Sequence, residues 1–504
     1  MLSVPLPRSA HSRCPPRNTG PCSRSSSSRS ASSADPPPPT LELPLATCSP
    51  PSSRDPSLRP AVCCARARAA TWVFALSSLL ILLWGGPAAA QSIVIDVAGS
   101  ADVPLAAPKP QLPAGNGQAE ANEAWDAMWL DLQMSGYFKM QDPGSYVERG
   151  KGVDEGSFEF SAWEMIRTSV LVKSRLYGPG AADCDSGGQR VCVDLFIYHV
   201  PSQQQLAVKR FRGTSGASRH LGHAMANHVL EIVTGTRGWF GTRLAAVSTQ
   251  SGNKEIYVLD TDGKGVQAVT RNGAINLSPA WSPDGSEIAW TSYKKANPDL
   301  YVKDLASGRT RTLSNVKGVN TSPTFSPNGQ HLALSRSVDG DADIFILDVR
   351  TGAQVRRVTT GGGIDVSPSF SPDGSTMVFA SERSGGSQIY TTLIGGEAKR
   401  LTFTGDFNID PVISPDGTKI AYVGRSEGGF DIYVSNIDGR GVVRLTQDMA
   451  DNEDPTWSPD SRYVVFSSTR SGPSELWIST ADGRHQTQIT HDGGWTQPSW
   501  IPLR

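Results

Sequence analysis

The sequence predicts a six-bladed all-β propeller preceded by a small α+β (α/β sandwich) domain, and three observations carry that prediction. A Ser-Pro-Asp-Gly motif recurs through the second half of the chain, its proline falling at 283, 327, 372, 415, 459 and 502, with spacings of 44, 45, 43, 44 and 43. A period of about 44 residues is the length of one four-stranded blade. The sixth repeat is split between the two ends of the repetitive region, and residues 119–236 carry mixed helical and strand periodicity with no repeat.

Before these comes a leader. Residues 1–65 hold 14 of the 36 Pro and are rich in Ser, a composition that cannot bury a core. Residues 66–90 read as a secretory signal: Arg66 and Arg68, an apolar run from Trp72 to Trp84, then Ala88-x-Ala90, which places cleavage before Gln91. The alternatives are an uncleaved anchor, although Gly85-Gly-Pro87 ends the run short of the roughly 20 residues a spanning helix needs, and an organellar transit peptide. The length of the leader also points to an overextended start. Residues 1–90 carry nine Arg against Asp35, Glu42 and Asp55, so the rest of the chain is acidic within a net charge of −1. That balance disfavours a nucleic-acid backbone as partner.

Residues 91–118 begin with the β-like Ile93-Val-Ile-Asp-Val97 and continue into Ala, Pro and Gly, the pattern of a mobile arm. In 119–236, Trp125, Met128 and Leu132 have helical spacing over 122–136, while 169–174, 191–200 and 205–211 look like strands. Leu221, Met225, Val229 and Ile232 mark an amphipathic helix over 218–234, stopped by Gly235. Of seven Cys, only Cys184 and Cys192 follow the leader. An even count with a Gly-Gly turn between them predicts a disulfide in an oxidising compartment, the alternative being two free thiols.

Each repeat in 237–504 reads as four strands. The first holds x-Pro-x-aromatic and ends in Pro-Asp-Gly, where Pro presets the first turn φ and Gly tolerates a positive one. Alternating second and third strands follow, such as Lys419-Ile-Ala-Tyr422 and Asp431-Ile-Tyr-Val434, and a fourth ends in Arg-Leu-Thr. Residues 242–272 supply three strands without a first, and 497–503 a first strand without followers. Joining them completes the sixth blade and removes the edges an open array would expose.

Motifs that suggest chemistry dissolve into the repeat. Gly424-Arg-Ser-Glu-Gly428 matches a nucleophile elbow by letter, but repeat symmetry puts it in a loop between antiparallel strands and not at a strand-to-helix turn. Asp339-Gly-Asp-Ala-Asp343 lacks the turn Gly and closing Glu of a calcium loop. His220, His223 and His228 lack the zincin pattern. No catalytic group, metal or cofactor is expected. What survives are two symmetric series. Three residues before the first Pro of each repeat stand Asn276, Asn320, Asp365, Asn408 and Asn452; one before stand Ser278, Ser322, Ser367, Asp410, Asp454 and Gln497. Symmetry turns each into a ring at the channel mouth. They are candidates for partner docking, for local turn capping, or for both at once.

These residues resemble the TolB family of the Gram-negative Tol-Pal envelope system. The specific pieces are Asp131-Leu-Gln-Met-Ser-Gly-Tyr-Phe138, Gly222-His223, Thr234-Gly-Thr-Arg-Gly-Trp-Phe-Gly-Thr-Arg-Leu-Ala245, the repeats, and Ser479-Thr-Ala-Asp-Gly-Arg484. The resemblance implies a periplasmic, non-enzymatic adaptor that supports outer-membrane integrity and constriction at division. It would touch membranes only through its partners. It implies that the lipoprotein Pal docks at the mouth, on Asn320, Ser322, Asp365, Ser367, Asn408, Asp410, Asn452 and Asp454. It implies that TolA is recruited by the mature N-terminus, here Gln91, Ser92, Ile93, Val94, Ile95 and Asp96. The long leader, the Pro/Ala-rich 104–113 and the Cys pair depart from the family pattern. The rivals are the propeller of a prolyl-oligopeptidase-like peptidase, whose hydrolase domain would need about 200 further residues, and a periplasmic ligand-binding propeller.

Overall fold

The computed structural model describes residues 102–147, 152–184, 188–338, 340–426 and 429–502. The leader, the signal-like run and Gln91 to Asp96 lie outside the described residues.

The first domain is a five-stranded mixed sheet. Its strands are β1 (Val103–Ala106), β2 (Phe138–Met140), β3 (Val170–Tyr177), β4 (Arg190–His199) and β5 (Gln204–Thr214), in the order β2-β1-β3-β4-β5. β1 runs parallel to both β2 and β3, and β3, β4 and β5 form an antiparallel meander. One face carries Val170, Val172, Val193, Leu195 and Ile197 and is covered by α1 (Gln118–Met134) and α3 (Ser218–Thr234), through Met128, Leu132, Met225 and Val229. The other buries Leu171, Phe196 and Tyr198 against Tyr146, Phe158 and Trp163, the last on the short helix α2 (Phe160–Glu164). α1 and α3 pack so closely that a Cβ on Gly222 would sit 2.3 Å from the Ala124 carbonyl oxygen.

Within the arm expected over 91–118, the described residues from 102 onward include a strand, residues 91–101 lying outside the described residues. Val103–Ala106 is an interior strand with Leu105 and Ala106 fully buried. Pro104 made the segment look irregular, yet it stands at the start of the strand, where no β3 carbonyl requires its missing N–H, and its own carbonyl accepts from Ser169 N at 2.9 Å. α1 also starts four residues before its apolar spacing does, because Gln118 to Ala121 are good helix formers.

The propeller closes as its sequence predicts. Five blades run from Asn276–Trp281 to Thr310–Ser314, from Asn320–Phe325 to Gln354–Arg357, from Asp365–Phe370 to Lys399–Arg400, from Asn408–Ile413 to Val443–Arg444, and from Asn452–Trp457 to Gln486–Gln488. The sixth joins the last strand, Trp495–Trp500, to Arg243–Ser248, Glu255–Asp260 and Gln267–Ala268. Trp495 pairs with Ser248 and Trp500 with Leu244, so the ring is shut by backbone hydrogen bonds between its two ends. Buried β-branched and aromatic side chains fill the gaps between blades, for example Val378, Ile389, Ile413 and Tyr422 between the third and fourth.

The two faces of the propeller differ. The turns after the first and third strands carry the first domain, at blades five and six. Trp239 of the linker wedges there, its ring centroid 5.0 Å from that of Tyr463 and 4.8 Å from that of Trp500. Tyr463 Oη donates to the Ser135 carbonyl at 2.6 Å, and Arg462 Nη1 to Tyr137 Oη at 3.1 Å. The opposite face, formed by loops between the second and third strands and between neighbouring blades, is left uncovered by that domain.

Candidate partner-docking site at the propeller mouth

Five of the six innermost strands open with a member of the first polar series, the sixth opening with Trp495, and the structure separates the two series. Asn276, Asn320 and Asn452 are fully buried, and Asp365 and Asn408 nearly so. Their side chains tie down the loop that arrives from the preceding blade. Asn320 Nδ2 donates to the Val316 carbonyl at 2.7 Å while Ser314 Oγ donates to its Oδ1 at 2.7 Å. Asn408 Nδ2 reaches Gln388 Oε1 at 3.1 Å, Asn452 Oδ1 accepts from Arg470 Nη2 at 2.8 Å, and Asp365 pairs with Arg383 at 2.8 Å. Asn320, Asp365, Asn408 and Asn452 thus act as local caps: a short amide or carboxyl beside unsatisfied loop amides and carbonyls is drawn inward to pair with them.

The second series faces the channel. Ser278, Ser322, Ser367, Asp410, Asp454 and Gln497 line one cavity of about 370 Å³ together with the prolines that follow them. All six have positive φ, between 49° and 56°, and at each the ladder to the second strand slips register. Left-handed backbone in a non-glycine residue costs about 1–2 kcal/mol and survives only where its surroundings over-determine it. Here the bulge and the next proline do so in every blade. Bonds run from blade to blade: Ser278 N donates to Gln497 Oε1 at 2.8 Å, Gln497 N to Asp454 Oδ2 at 3.0 Å, and Ser367 Oγ to Asp410 Oδ1 at 2.6 Å.

The ring is electrostatically lopsided. Asp410 and Asp454 lie side by side on blades four and five, opposite hydroxyls on blades one and two. Burial pushes the Asp454 carboxyl up to about 7, with the Asp410 charge adding to it, and burial raises Asp410 against the hydrogen bond from Ser367. The mouth thus offers hydrogen-bond acceptors and carboxylates whose charge an incoming donor or cation would stabilise.

Sequence reasoning missed an apolar rim. The loops leading into the innermost strands expose Ile275, Val316, Val319, Ile364, Phe403 (76%) and Met449 (90%). Arg425 stacks on Phe407 and Phe430 at 4.8 and 5.3 Å. The signal was available, since an apolar residue stands directly before Asn276, Asn320, Asp365 and Asn408. Alternation alone did not separate it from strand core. Exposed aromatic and aliphatic groups on a polar scaffold mark a protein-binding surface.

Elsewhere, Cys184 and Cys192 are joined by a disulfide, with Cα atoms 5.6 Å apart. Among the described residues, no cluster of three or more His, Cys, Asp or Glu side chains is placed to hold a metal, and no helix is long and apolar enough to cross a membrane. His220, His223 and His228 do not converge: His220 is exposed, His223 is buried against Asp131, and His228 leans toward Glu231 at 3.9 Å.

Comparison with known proteins agrees with this architecture. The TolB β-propeller domain family matches residues 230–504, and the TolB amino-terminal domain family matches residues 91–206. A Tol-Pal system protein TolB from Geobacter sulfurreducens is 36% identical over 195 residues, 38% of this chain and 43% of the relative. A TolB homolog from Chlorobium chlorochromatii is 36% identical over 197 residues, 39% of this chain and 43% of the relative. The chain therefore spans less than half the length of these curated relatives. The crystal structure of TolB from Acinetobacter baumannii superposes with a TM-score of 0.70 at 28% identity, covering 80% of this chain and 98% of that one.

Proposed function

The chain belongs to the TolB family, and on that premise we propose that it is a periplasmic adaptor of the Tol-Pal complex, working by binding and not by turnover. Pal docks on the propeller mouth, and TolA is recruited by the N-terminal residues Gln91 to Asp96. Linking the two supports outer-membrane integrity and invagination during division. The observation that carries the Pal half of this reading is the mouth itself. Six channel-facing polar positions on rigid, bulged backbone sit inside a rim of exposed apolar loops, the arrangement of a polar centre and apolar anchors that a folded partner can fill. The proposed contacts are Asn320, Ser322, Asp365, Ser367, Asn408, Asp410, Asn452 and Asp454, of which Ser322, Ser367, Asp410 and Asp454 face the channel with Ser278 and Gln497.

Calorimetric titration of Pal into the folded variants Ser322→Arg and Ser367→Arg tests this. Each introduces a long charged side chain into the channel and leaves the capping Asn residues in place. Loss of one anchor is worth about 2 kcal/mol, or about thirtyfold in affinity, with the melting temperature nearly unchanged. Wild-type affinity in both variants moves the interface off the mouth.

A further inference from the structure

Beneath the first domain, on the face away from the mouth, six ionisable side chains meet in a joint that is largely buried except at Arg243, whose side chain is 33% exposed. Asp131 comes from α1, Arg219 and His223 from α3, and Arg243, Asp260 and Asp262 from blade six. His223 Nδ1 lies 2.6 Å from Asp131 Oδ2, and its Nε2 3.5 Å from Asp262 Oδ2. Arg219 Nη1 donates to both oxygens of Asp262 at 2.8 Å and Nη2 donates to Asp260, which Arg243 also approaches at 3.5 Å. The side chains of Asp131 and Asp262 are fully buried and that of His223 is 2% exposed, while Asp131 Oδ1 is buried with no hydrogen-bond partner. Of the neighbouring charged groups, His220 sits 6.2 Å from the His223 ring on the exposed side of α3, and Lys264 meets the joint through its backbone, its N–H donating to Asp262 Oδ1 at 3.1 Å and its carbonyl accepting from Asp260 N at 2.8 Å.

Counting charge decides what this joint needs. Three carboxylates face two guanidinium groups, so with all three ionised the joint is neutral only when the imidazole carries a second proton. An uncompensated buried charge is among the most costly defects a packed interface can hold. We propose that the joint is a proton-operated latch: doubly protonated His223 holds the first domain against blade six, and loss of that proton loosens the two. The rival state is a neutral imidazole that donates from Nδ1 to Asp131 and accepts at Nε2 from Arg219 Nη1, 3.5 Å away. It satisfies both nitrogens but leaves the joint one negative charge in excess.

The titration runs in the same direction. Burial works to lower His223, but the hydrogen bond to Asp131 and the charges of Asp131 and Asp262 outweigh it, and the imidazole is raised. Asp131 is pushed up to about 6, chiefly by burial, against the pull of His223. Both groups bind protons more readily in the closed joint than in water, so closure is favoured at low pH. It weakens as pH rises through these values, first as Asp131 must ionise and then as His223 discharges. The latch is independent of what the mouth binds.

Hydrogen exchange on the exported protein reads the latch directly. The Phe240 amide donates across the joint region to Asn227 Oδ1 at 3.0 Å and reports opening, whereas amides of the β3–β4 pair report the domain itself. After correction for intrinsic rates, opening at Phe240 should rise by up to tenfold per pH unit between the ordinary imidazole range and the raised His223 midpoint and level off above it, while β3–β4 stays flat, since one linked proton gives at most that slope. His223→Gln leaves the excess negative charge wherever Asp131 is ionised, and there it should exchange at the high-pH level without the imidazole's pH step. Asp131→Asn removes one carboxylate, balances the joint without a proton, and should stay closed and insensitive to pH. A merely structural role predicts the opposite for Asp131→Asn, loosening at every pH. A flat wild-type profile, or Asp131→Asn behaving like His223→Gln, overturns the proposal. Should either variant fail to fold, ring-nitrogen NMR of wild-type His223 decides alone, because a neutral ring at about pH 6 is incompatible with the latch.

Discussion

Removing the Trp239 side chain should separate two domains that share one hydrophobic core. Trp239 is 1% exposed, and its ring meets those of Phe240, Tyr463 and Trp500 at centroid distances of 4.6, 5.0 and 4.8 Å. The same continuous cluster contains Met128, Leu132 and Met225 of the first domain and Leu244, Leu476 and Trp495 of the propeller. A buried tryptophan removes about 150–250 Å² from water, which at about 25 cal/mol/Å² sets an upper bound of about 4–6 kcal/mol. Measured truncations of such residues cost about 3–5 kcal/mol. Much of that loss falls on the joint, because the ring's neighbours at blades five and six are what the first domain rests on. Trp239→Ala should therefore cost about 3–5 kcal/mol in urea unfolding followed by circular dichroism, and should split the calorimetric endotherm into two, the first domain melting ahead of the propeller. The reasoning fails if the variant loses less than about 1 kcal/mol and still melts in one transition coincident by both probes.

Three further outcomes follow from individual sites. Gly222→Ala, normally favourable inside a helix, should here destabilise by about 1–3 kcal/mol in denaturant melts, because its Cβ would collide with the Ala124 carbonyl and the Ala127 methyl group. Asp454→Asn should be more stable than wild type at high pH, with the gap closing as pH falls below about 7. The raised carboxyl makes ionisation in the folded state unfavourable, so the wild type loses stability as pH rises; parallel urea titrations at the two pH values read this, and a constant gap contradicts it. The bond between Cys184 and Cys192 closes a loop with a sequence separation of 8. In the chain-entropy model such a loop contributes roughly 2–3 kcal/mol. Non-reduced peptide mapping of exported protein should find the two linked, and finding both thiols alkylatable would show the bond is not formed in the cell.

The amino-acid sequence by itself determined the propeller: its blade count, the strands of each blade, and the closure of the ring by its two ends. The reason is that a blade is a local unit whose period, turn residues and alternating core positions all lie within about 44 residues of one another. The helix ending at Gly235 was legible for the same reason. What only the tertiary structure decided depends on groups distant in the chain. Pro104 and its neighbours read as loose chain, and became an interior strand because β2 and β3 come to either side of them. Asn320 and Ser322 stand two residues apart with similar chemistry, yet one is drawn into the loop between blades while the other is turned by a bulge toward the axis. Side-chain size and polarity do not encode that turn; the register shift against the second strand does. The six-charge joint was also invisible in sequence, since Asp131 and His223 lie 92 residues apart in the first domain and Asp262 across the boundary in the propeller, and their charges acquire a sum only where packing excludes water from all three at once.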